Sequence, residues 1–406
     1  MPDRLITPEQ VQDSQAQPTE CHRGPYSLRC DSLAQADASL VSQWKSFHAQ
    51  HSSDEPMLDP EWLHGYFDDQ IQNVRFYSLY QSGRLSGLAP FLRRDWPMQW
   101  HLGPWKVAQC PLVRLRLLGT SLEFPADEAA YDMLFRELSK AGRDFDTVYL
   151  EETPLDSFLW TYLHRSEFIR KNYLLYQPRP AAPRPALRVE GTFQQYMGKF
   201  NSKHRNTLNR KIKKLREGAL GEMRLVRYES PSEAPAFLEQ ALEISRKTYQ
   251  WARYGRGLSA VEKVRKRLFF AASHGWMRSY LLFCGGEARA FLLGFQYNGR
   301  FLLDEIGFDP DLARYSVGTV LQLLTVEDLF AHHRPHVFDL QEYGGYKEVL
   351  STDSYLEGKL FLFRRSAYAR LLRSGHRACA LLDRTASSAL ERFNLKATLR
   401  QKVRGW

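Results

Sequence analysis

Hydrophobic and polar positions along this chain follow two alternating periodicities. Apolar residues three and four apart predict helices, and short apolar runs bounded by Gly, Asn or Asp predict strands. In the first half, the pattern predicts helices over 37–51, 59–70 and 126–141, and strands over 74–80, 85–92, 114–118 and 147–150. In the second half, it predicts helices over 191–200, 203–217, 234–249, 260–274 and 320–330, and strands over 222–228, 276–284, 287–297, 301–308, 337–340 and 360–363. Both halves begin with helix, helix, strand, turn, strand, so we expect a duplicated α/β fold with two mixed sheets flanked by helices.

A proline-rich stretch separates the two halves. Residues 177–185 contain four prolines in nine positions, which favours an extended, semi-rigid segment. The pattern therefore divides the chain into a loose tail (1–24), a first α/β domain (25–176), a linker (177–186), a second α/β domain (187–365) and a helical tail (366–406).

Composition limits the class of protein. The chain has 406 residues, of which 43% are hydrophobic and 13% aromatic, as in globular proteins. No apolar run is long enough to span a bilayer, and the first residues are polar rather than basic and then apolar, so no secretory signal is predicted. The five cysteines lack metal spacing, and we expect a reduced cytoplasmic protein without a metal ion.

The net charge of +10 is concentrated in two segments. Residues 364–406 carry eleven Lys and Arg against two acids, and residues 199–217 carry eight against one. The first segment has apolar residues at helical spacing, which is typical of a basic amphipathic helix on an anionic membrane surface. The alternative is that this helix packs onto the protein's own surface. The second segment is expected to face an anionic partner or simply solvent.

The candidate chemistry lies between Phe301 and Lys347. An apolar strand is followed by Asp309-Pro310, by the turn Arg314–Thr319 and directly by a predicted helix. Because the first amides of a helix are unpaired and its dipole favours negative charge at that end, this turn predicts an anion site. The residues expected to hold the anion are Arg314, Ser316, Val317, Gly318 and Thr319.

The second half resembles the GNAT acyltransferases, in particular the CelD-like and FemABX-like branch with two tandem GNAT modules. The resemblance covers residues 185–365 well and 26–176 weakly. It rests on five segments, which are Phe193–Tyr196, Ser202–Lys211, Asp309-Pro310, Tyr315–Gly318, and Phe338–Leu340 leading to Tyr346-Lys347.

This resemblance implies a two-domain GNAT fold and an acyl-CoA co-substrate, with acetyl-CoA the expected donor. In GNAT proteins a Gln/Arg-x-x-Gly-x-Gly/Ala loop holds the pyrophosphate. Here Ser316 stands at the first glycine and Thr319 at the second small position, so the motif is altered. FemABX-like relatives use aminoacyl-tRNA, which leaves the donor open.

Amide formation from an ammonium group needs a base. Asp304 and Glu305 are neighbours on a predicted strand, so their side chains point to opposite faces, and Glu305 is the favoured base. Tyr346 is the expected acid for the leaving thiolate, and Asp339 is a second candidate base or an orienting group for Lys347. The alternative for each acid is an ordinary ion pair, and for Tyr346 and Lys347 a packed ring and a solvated ammonium.

For the acceptor, Lys203, Arg205 and Lys347 are the expected contacts with an acidic or phosphate-bearing substrate. The resemblance implies an amine acceptor such as an amino sugar or another precursor of the cell envelope or of exopolysaccharide. Two other hypotheses stay open: transfer from aminoacyl-tRNA, and a non-catalytic protein that binds nucleic acid or a membrane on a GNAT-like scaffold.

Overall fold

The computed structural model describes the chain from residue 20 to residue 392 with a few interruptions. The described residues are 20–23, 25–51, 53–102, 105–142, 144–217, 221–248, 257–258, 260–332, 334–341 and 350–392. Within them no helix is long and apolar enough to cross a membrane.

Within its described residues, the first half contains nine strands and five α-helices. The strands are β1 (Glu20–Arg23), β2 (Tyr26–Ser32), β3 (Val74–Gln81), β4 (Arg84–Asp95), β5 (Met98–Leu102), β6 (Trp105–Cys110), β7 (Val113–Leu117), β8 (Thr147–Pro154) and β9 (Tyr173–Tyr176). The helices are α1 (Ala38–Gln50), α2 (Pro60–Tyr66), α3 (Glu128–Lys140), α4 (Phe158–Arg165) and α5 (Glu167–Asn172). Short 3₁₀ helices cover Leu33–Gln35, Pro56–Leu58 and Asp68–Asn73.

The second half repeats this alternation of helices and strands. Its strands are β10 (Ala182–Arg188), β11 (Met223–Tyr228), β12 (Ser279–Cys284), β13 (Glu287–Tyr297), β14 (Arg300–Phe308), β15 (Val337–Asp339) and β16 (Asp353–Arg364). Its helices are α6 (Phe193–Gly198), α7 (Ser202–Glu217), α8 (Ala234–Lys247), α9 (Val261–Ser273), α10 (Val317–Ala331) and α11 (Ala367–Arg392), with a 3₁₀ helix at Pro310–Tyr315.

One mixed sheet runs through both halves. Its strand order is β1-β2-β3-β4-β7-β8-β16-β10-β15-β14-β13-β12-β11, with β9 also paired to β16 and β5-β6 forming a separate hairpin. The junction is β16, which pairs with β10 through its first residues and with β8 and β9 through its last. The expected mixed sheet flanked by helices is confirmed, but it is a single sheet rather than two.

Each half contains the same strand–helix–strand unit. In the first half β7 and β8 are parallel and paired over three positions, with α3 as the crossover helix. In the second half β14 and β15 are parallel and paired over three positions, with α10 as the crossover helix. This repeat supports the expected duplication at the level of topology.

The proline-rich segment departs from the expected linker. It is extended, but its second part is β10, in the middle of the sheet. The bonds from Thr352 N to Ala186 O and from Arg188 N to Thr352 Oγ1 show that the even-numbered residues turn their backbone polar groups towards β16. Pro183 and Pro185 therefore turn the other way, beyond the point where β15 ends, and cost no ladder hydrogen bond.

The largest shared core joins the two halves. Trp44 and Trp62 from the first half are buried in one cluster with Phe237, Leu268 and Phe291 from the second. A second cluster fills the space under α3, and a third surrounds α10. Because burial of such large side chains contributes most of the folding free energy, the relative position of the halves is fixed by packing.

Helix α11 covers Ala367–Arg392 of the predicted tail. Its first turns pack onto the β5–β6 hairpin and β9: Ala369 and Leu372 are buried, and the Tyr176 hydroxyl lies 2.6 Å from His376 Nδ1. Leu381 and Leu382 further along are exposed. The start of the helix therefore follows the alternative in which it packs onto the protein's own surface.

Candidate active site

Strands β14 and β15 diverge within the sheet. Their parallel register covers Arg300 with Val337, Phe301 with Phe338 and Leu302 with Asp339. There β15 ends, while β14 continues to Phe308. The register between β13 and β14 also shifts next to the divergence, so that Asp304 is the extra residue of a bulge. A gap between two parallel strands thus opens towards the N-terminus of α10.

The N-terminus of α10 is open to an anion. The first helical hydrogen bond runs from Val320 N to Ser316 O, 3.1 Å, so the amides of Val317, Gly318 and Thr319 lie ahead of the helical ladder. Ser316 makes no side-chain cap bond, and the first turn carries no acid. The dipole and the free amides together favour a phosphate or pyrophosphate group.

The backbone conformation of Ser316 explains why the GNAT motif has glycine at this position. Its φ is +57° and its ψ is 39°, in the left-handed region that glycine adopts at least cost. Gly318 has a different constraint: a Cβ on it would lie 3.0 Å from Cδ1 of Phe308, at the end of β14. The turn therefore keeps the required backbone shape despite the substituted glycine.

The basic helix α7 lies beside this turn. Lys214 Nζ donates to Arg314 O, 3.2 Å, and lies over the Tyr315 ring, as does the Arg314 guanidinium. Two cationic groups therefore stand next to the amides of α10. Sequence reasoning included Lys214 in the basic helix but did not select it as a contact.

Lys203 and Arg205 lie at the other end of α7. Lys203 is exposed, and eleven residues of helix, roughly 16 Å, separate it from Lys214. Arg205 donates to Phe200 O at 2.5 Å and contacts Ser202 Oγ at 3.4 Å, so it closes the turn between α6 and α7. Neither residue reaches the N-terminus of α10.

A cavity of about 150 Å³ lies on the other side of the divergence, between the two halves. Leu302, Asp304, Asp339 and Gln341 form the wall from the second half. The wall from the first half includes Glu55 and residues of β7 and β8. From Leu302 to Phe308 the strand β14 spans about 20 Å, so this length of strand separates the cavity from the anion site.

Asp339 is an ion-pair residue in this cavity. It is 3% exposed, and Arg184 binds both its oxygens, Nε to Oδ1 at 3.1 Å and Nη2 to Oδ2 at 2.9 Å. Arg300 Nη1 lies 3.0 Å from Oδ2, and Gln341 N donates to Oδ1. Burial raises the pKa of Asp339, but the two guanidiniums outweigh burial and hold the pKa below its usual value. This environment fits the ion-pair interpretation and opposes a role as base.

Asp304, and not Glu305, lines the cavity. Asp304 forms an ion pair with Arg267 of α9. Glu305 is half-buried and lies opposite Leu293 in the ladder, after the bulge. The two side chains point in different directions, as expected for neighbours on a strand. Asp304 faces the cavity, whereas the sequence had favoured Glu305.

Glu55 is the acid that sequence reasoning missed. It precedes the 3₁₀ helix Pro56–Leu58, and its Oε2 accepts from the amide of Thr120 at 3.3 Å and from the Thr120 hydroxyl at 3.2 Å. Its Oε1 accepts from Met57 N at 3.3 Å. The local sequence signal was the pair of acids before Pro56. The residue that holds the Glu55 carboxylate, Thr120, lies 65 positions away in the chain.

Tyr346 and Lys347 lie outside the described residues, so their expected roles stay predictions. The backbone that follows them is fixed by Lys199, whose Nζ donates to Leu350 O at 2.7 Å and to Ser351 O at 2.6 Å. The Tyr196 hydroxyl also donates to Leu350 O. Burial lowers the pKa of Lys199 to about 8.

The matching helix in the first half is closed to anions. Asp127 caps α3 by accepting from Ala129 N at 3.1 Å, and Glu128 stands in the first turn. Two carboxylates thus occupy the position where α10 has free amides and no acid. Of the two repeated units, only the second has a helix N-terminus suited to a phosphate.

Metal ligands are not brought together in the described part of the chain, where no group of three His, Cys, Asp or Glu side chains could hold an ion. His332 contacts Asp328 and His336 contacts Asp54, each as a single pair. His333 lies outside the described residues.

The diverging parallel strands, the open helix N-terminus between them and the duplicated arrangement fit the resemblance of the sequence to GNAT acyltransferases. Residues 202–348 match the family model described as an acetyltransferase (GNAT) domain. These residues are thus similar to a GNAT acetyltransferase domain, and they contain α7, the β14–β15 pair and the turn before α10.

A solved structure supports the fold. A structure of FemX superposes with a TM-score of 0.52 over 82% of this chain and 98% of its own, at 10% identity. A tandem GNAT protein from the clavulanic acid biosynthesis pathway gives 0.48 over 84% and 98%, at 12% identity. L-PGS from Bacillus licheniformis gives 0.48 over 84% and 96%, also at 12% identity. No curated protein matches the sequence significantly.

Proposed function

We propose that the protein transfers an acyl group from acyl-CoA, with acetyl-CoA as the first candidate, to an amine acceptor. The observation that carries this proposal is the contrast between the two repeated units. Helix α3 is capped by its own Asp127, whereas α10 begins with three amides outside its ladder and no acid. The second site therefore fits the pyrophosphate of coenzyme A, and the first does not.

The donor would bind along the divergence of β14 and β15. The amides of Val317, Gly318 and Thr319 would hold the pyrophosphate, with Arg314 and Lys214 supplying positive charge. The pantetheine arm would follow β14 towards Leu302 and bring the thioester to the cavity. Backbone amides near the Asp304 bulge are suited to stabilise the oxyanion that forms during transfer.

The acceptor would enter the cavity between the halves, and the amine would attack the thioester directly. The acceptor class implied by the relatives is an amino sugar or another precursor of the cell envelope or of exopolysaccharide. The predicted base is Glu305, the predicted acid is Tyr346, and Lys203, Arg205 and Lys347 are the predicted outer contacts. Asp339 is assigned the role of holding Arg184 and Arg300 in the cavity wall.

A second contact is proposed for the end of α11. Leu381 and Leu382 are exposed and follow the exposed Arg377, so this stretch combines apolar and cationic side chains. We propose that it lies on an anionic membrane surface, while the first turns stay packed on the β5–β6 hairpin. Co-sedimentation with vesicles that contain anionic lipid, compared with neutral vesicles, tests this contact.

Donor binding is tested by thermal unfolding with acetyl-CoA, because a ligand selective for the native state stabilises it by about 2.7 kcal/mol at a hundred times its Kd. Gly318→Val places a side chain between Phe308 and the amides and should abolish the shift. Gly198→Val is the matched control, since a Cβ there meets nothing within 4 Å. A shift that persists in Gly318→Val would contradict the assigned pyrophosphate site. Transfer that requires aminoacyl-tRNA, with no response to acyl-CoA, would establish the other donor.

A further inference from the structure

The side chain of Glu55 is held in a fixed position at the cavity by the loop that contains Thr120. The loop that binds it approaches closely: Gly119 has a φ of +83°, and a Cβ on it would lie 3.2 Å from Cδ of Glu55. This close approach places the amide and hydroxyl of Thr120 on one carboxylate oxygen. Two segments of the first half, far apart in sequence, thus fix one carboxylate at the wall opposite Leu302.

Glu55 forms no direct ion pair among the described residues, although the charges of Arg300 and Arg184 act on it. The wall carries the acids Glu55, Glu151, Glu152, Asp304 and Asp339 and the bases Arg116, Arg184 and Arg300. Arg116 pairs with Glu151, Arg184 with Glu152 and Asp339, and Arg300 with Asp339, while Asp304 pairs with Arg267. Among the described residues, the hydrogen bonds to Glu55 come from neutral donors, and the wall has an excess of negative charge.

We infer that Glu55 receives the ammonium group of the acceptor in this cavity and takes its proton, and is thus the base of the reaction in place of Glu305. The inference rests on the proposed acyl transfer and names the acceptor chemistry. The acceptor carries a primary ammonium group that fits the cavity of about 150 Å³, and the molecule that carries this group can be small or larger than the cavity. The first half of the chain therefore supplies the base, and the second half supplies the donor site.

The proton balance is complete without another reactant. An N–H proton of the ammonium passes to the Glu55 carboxylate, and the free amine forms a C–N bond with the thioester carbonyl. The C–S bond then breaks as the tetrahedral intermediate collapses. The second N–H proton leaves with the thiolate, so the products are the amide, the thiol and protonated Glu55, which returns its proton to water.

The environment of Glu55 makes its carboxylate more basic than that of an exposed glutamate. Burial raises the pKa of its carboxyl above the usual value, and Arg300, the Met57 amide, Arg184 and Thr120 oppose the rise only in part. A carboxylate with a raised pKa is a better base than an exposed one. Arg116, Glu151 and Glu152 face it from β7 and β8, and Asp304 and Asp339 from β14 and β15.

The test compares Glu55→Gln with Glu167→Gln, a fully exposed glutamate on α5 of the first half, using acetyl-CoA as donor and D-glucosamine and ethanolamine as acceptor probes. We expect Glu55→Gln to bind acetyl-CoA like the wild type but to lose at least a hundredfold in the rate of thiol release, as expected for a lost base. Binding of either amine to the CoA-saturated protein, measured by calorimetry, should weaken at least tenfold. Glu167→Gln should keep both properties, because this carboxylate is exposed and does not line the cavity.

Thr120→Val tests whether Glu55 acts as the base or only supports the structure of the cavity. It removes the hydroxyl that donates to Glu55 Oε2 but keeps the amide. The acid limb of the rate–pH profile should move to higher pH, because the carboxylate loses a stabilising hydrogen bond. An unmoved limb, or full activity in Glu55→Gln, would overturn the inference. So would failure of both amines to bind the wild type while acetyl-CoA binds. Failure of acetyl-CoA itself to bind would instead reject the proposed function.

Discussion

Asp339 and Arg184 form a buried two-point ion pair that joins β15 to β10 at the place where β14 and β15 diverge. Both side chains are at most 6% exposed, and Arg184 also pairs with Glu152 of the first half and with Glu357 of β16. One arginine thus holds acids from three strands around the cavity. The pair fixes the geometry of the site and leaves proton transfer to another residue.

Removing one member of this pair should be costly. Asp339→Asn leaves Arg184 and Arg300 without a full counter-charge in a buried position, so we expect a loss of about 3–5 kcal/mol in the free energy of unfolding. Urea denaturation at pH 7 measures it. Asp353→Asn is the matched control, because its pair with Arg188 is exposed and should be worth less than about 1 kcal/mol. Equal losses in the two variants would show that burial adds nothing to the Asp339 pair.

The two cavity acids should affect stability with opposite pH dependence. The pKa of Asp339 is lowered in the folded state, so its contribution is present above the ordinary aspartate pKa and is lost as the pH falls through the folded value. The pKa of Glu55 is raised, so its contribution is present below the ordinary glutamate pKa and is lost as the pH rises through the folded value.

Glu55→Gln should therefore be more stable than the wild type at pH 8. The advantage should disappear well below the ordinary glutamate pKa, where the wild-type carboxyl is protonated in both states. Thermal unfolding of both proteins across this range measures the difference. An advantage that is constant with pH would mean that the gain comes from packing or hydrogen bonding rather than from titration.

Ser316→Gly should stabilise the protein by about 1 kcal/mol. Ser316 has a φ of +57°, where a non-glycine residue costs roughly 1–2 kcal/mol relative to glycine, partly offset by the greater freedom of glycine in the unfolded chain. Acyl-CoA binding should persist, because the amides of the following residues keep their positions. Ser316→Ala is the control: it removes the hydroxyl but keeps the left-handed strain, so it should give no gain in urea denaturation.

Gly375→Leu should detach the start of α11 from the β5–β6 hairpin. A Cβ at Gly375 would lie 2.1 Å from the Trp100 ring, so the helix and the hairpin cannot stay in contact unchanged. We expect a loss of about 1–3 kcal/mol, faster proteolysis within α11 and a red shift in tryptophan emission. Ser374→Leu, at an exposed neighbouring position, should leave all three unchanged. Retained protection of the helix in Gly375→Leu would contradict the packing described here.

Regular periodicity predicted most of the helices and strands. The predicted turn at Asn298-Gly299 has positive φ at both residues, and the predicted helix over 203–217 corresponds to α7 within one residue at its start. The strand β2 was missed, although Tyr26, Leu28 and Cys30 alternate along it. The sequence also predicted the anion turn before α10, because an N-terminal turn is a local feature.

The cavity could not be predicted in the same way. Glu55 is placed by Thr120, and Asp339 by Arg184, pairs separated by 65 and 155 positions along the chain. Such contacts depend on the packing of the two halves, which periodicity does not encode. Which of Asp304 and Glu305 faces the cavity depends on the bulge at Asp304, which shifts the alternation of the strand by one residue. The preference for Glu305 did not include this bulge.

Strand β16 also has a consequence for biosynthesis. It is the last strand among the described residues, yet it lies between β8 and β10 in the middle of the sheet. Until residues 353–364 have left the ribosome, both neighbours present open edges, and such edges invite pairing between different molecules. Neither half should therefore be obtainable as a stable fragment, and a chain stopped before residue 353 should aggregate. Maturation of the site depends on the final part of translation, when the two halves are joined into one sheet.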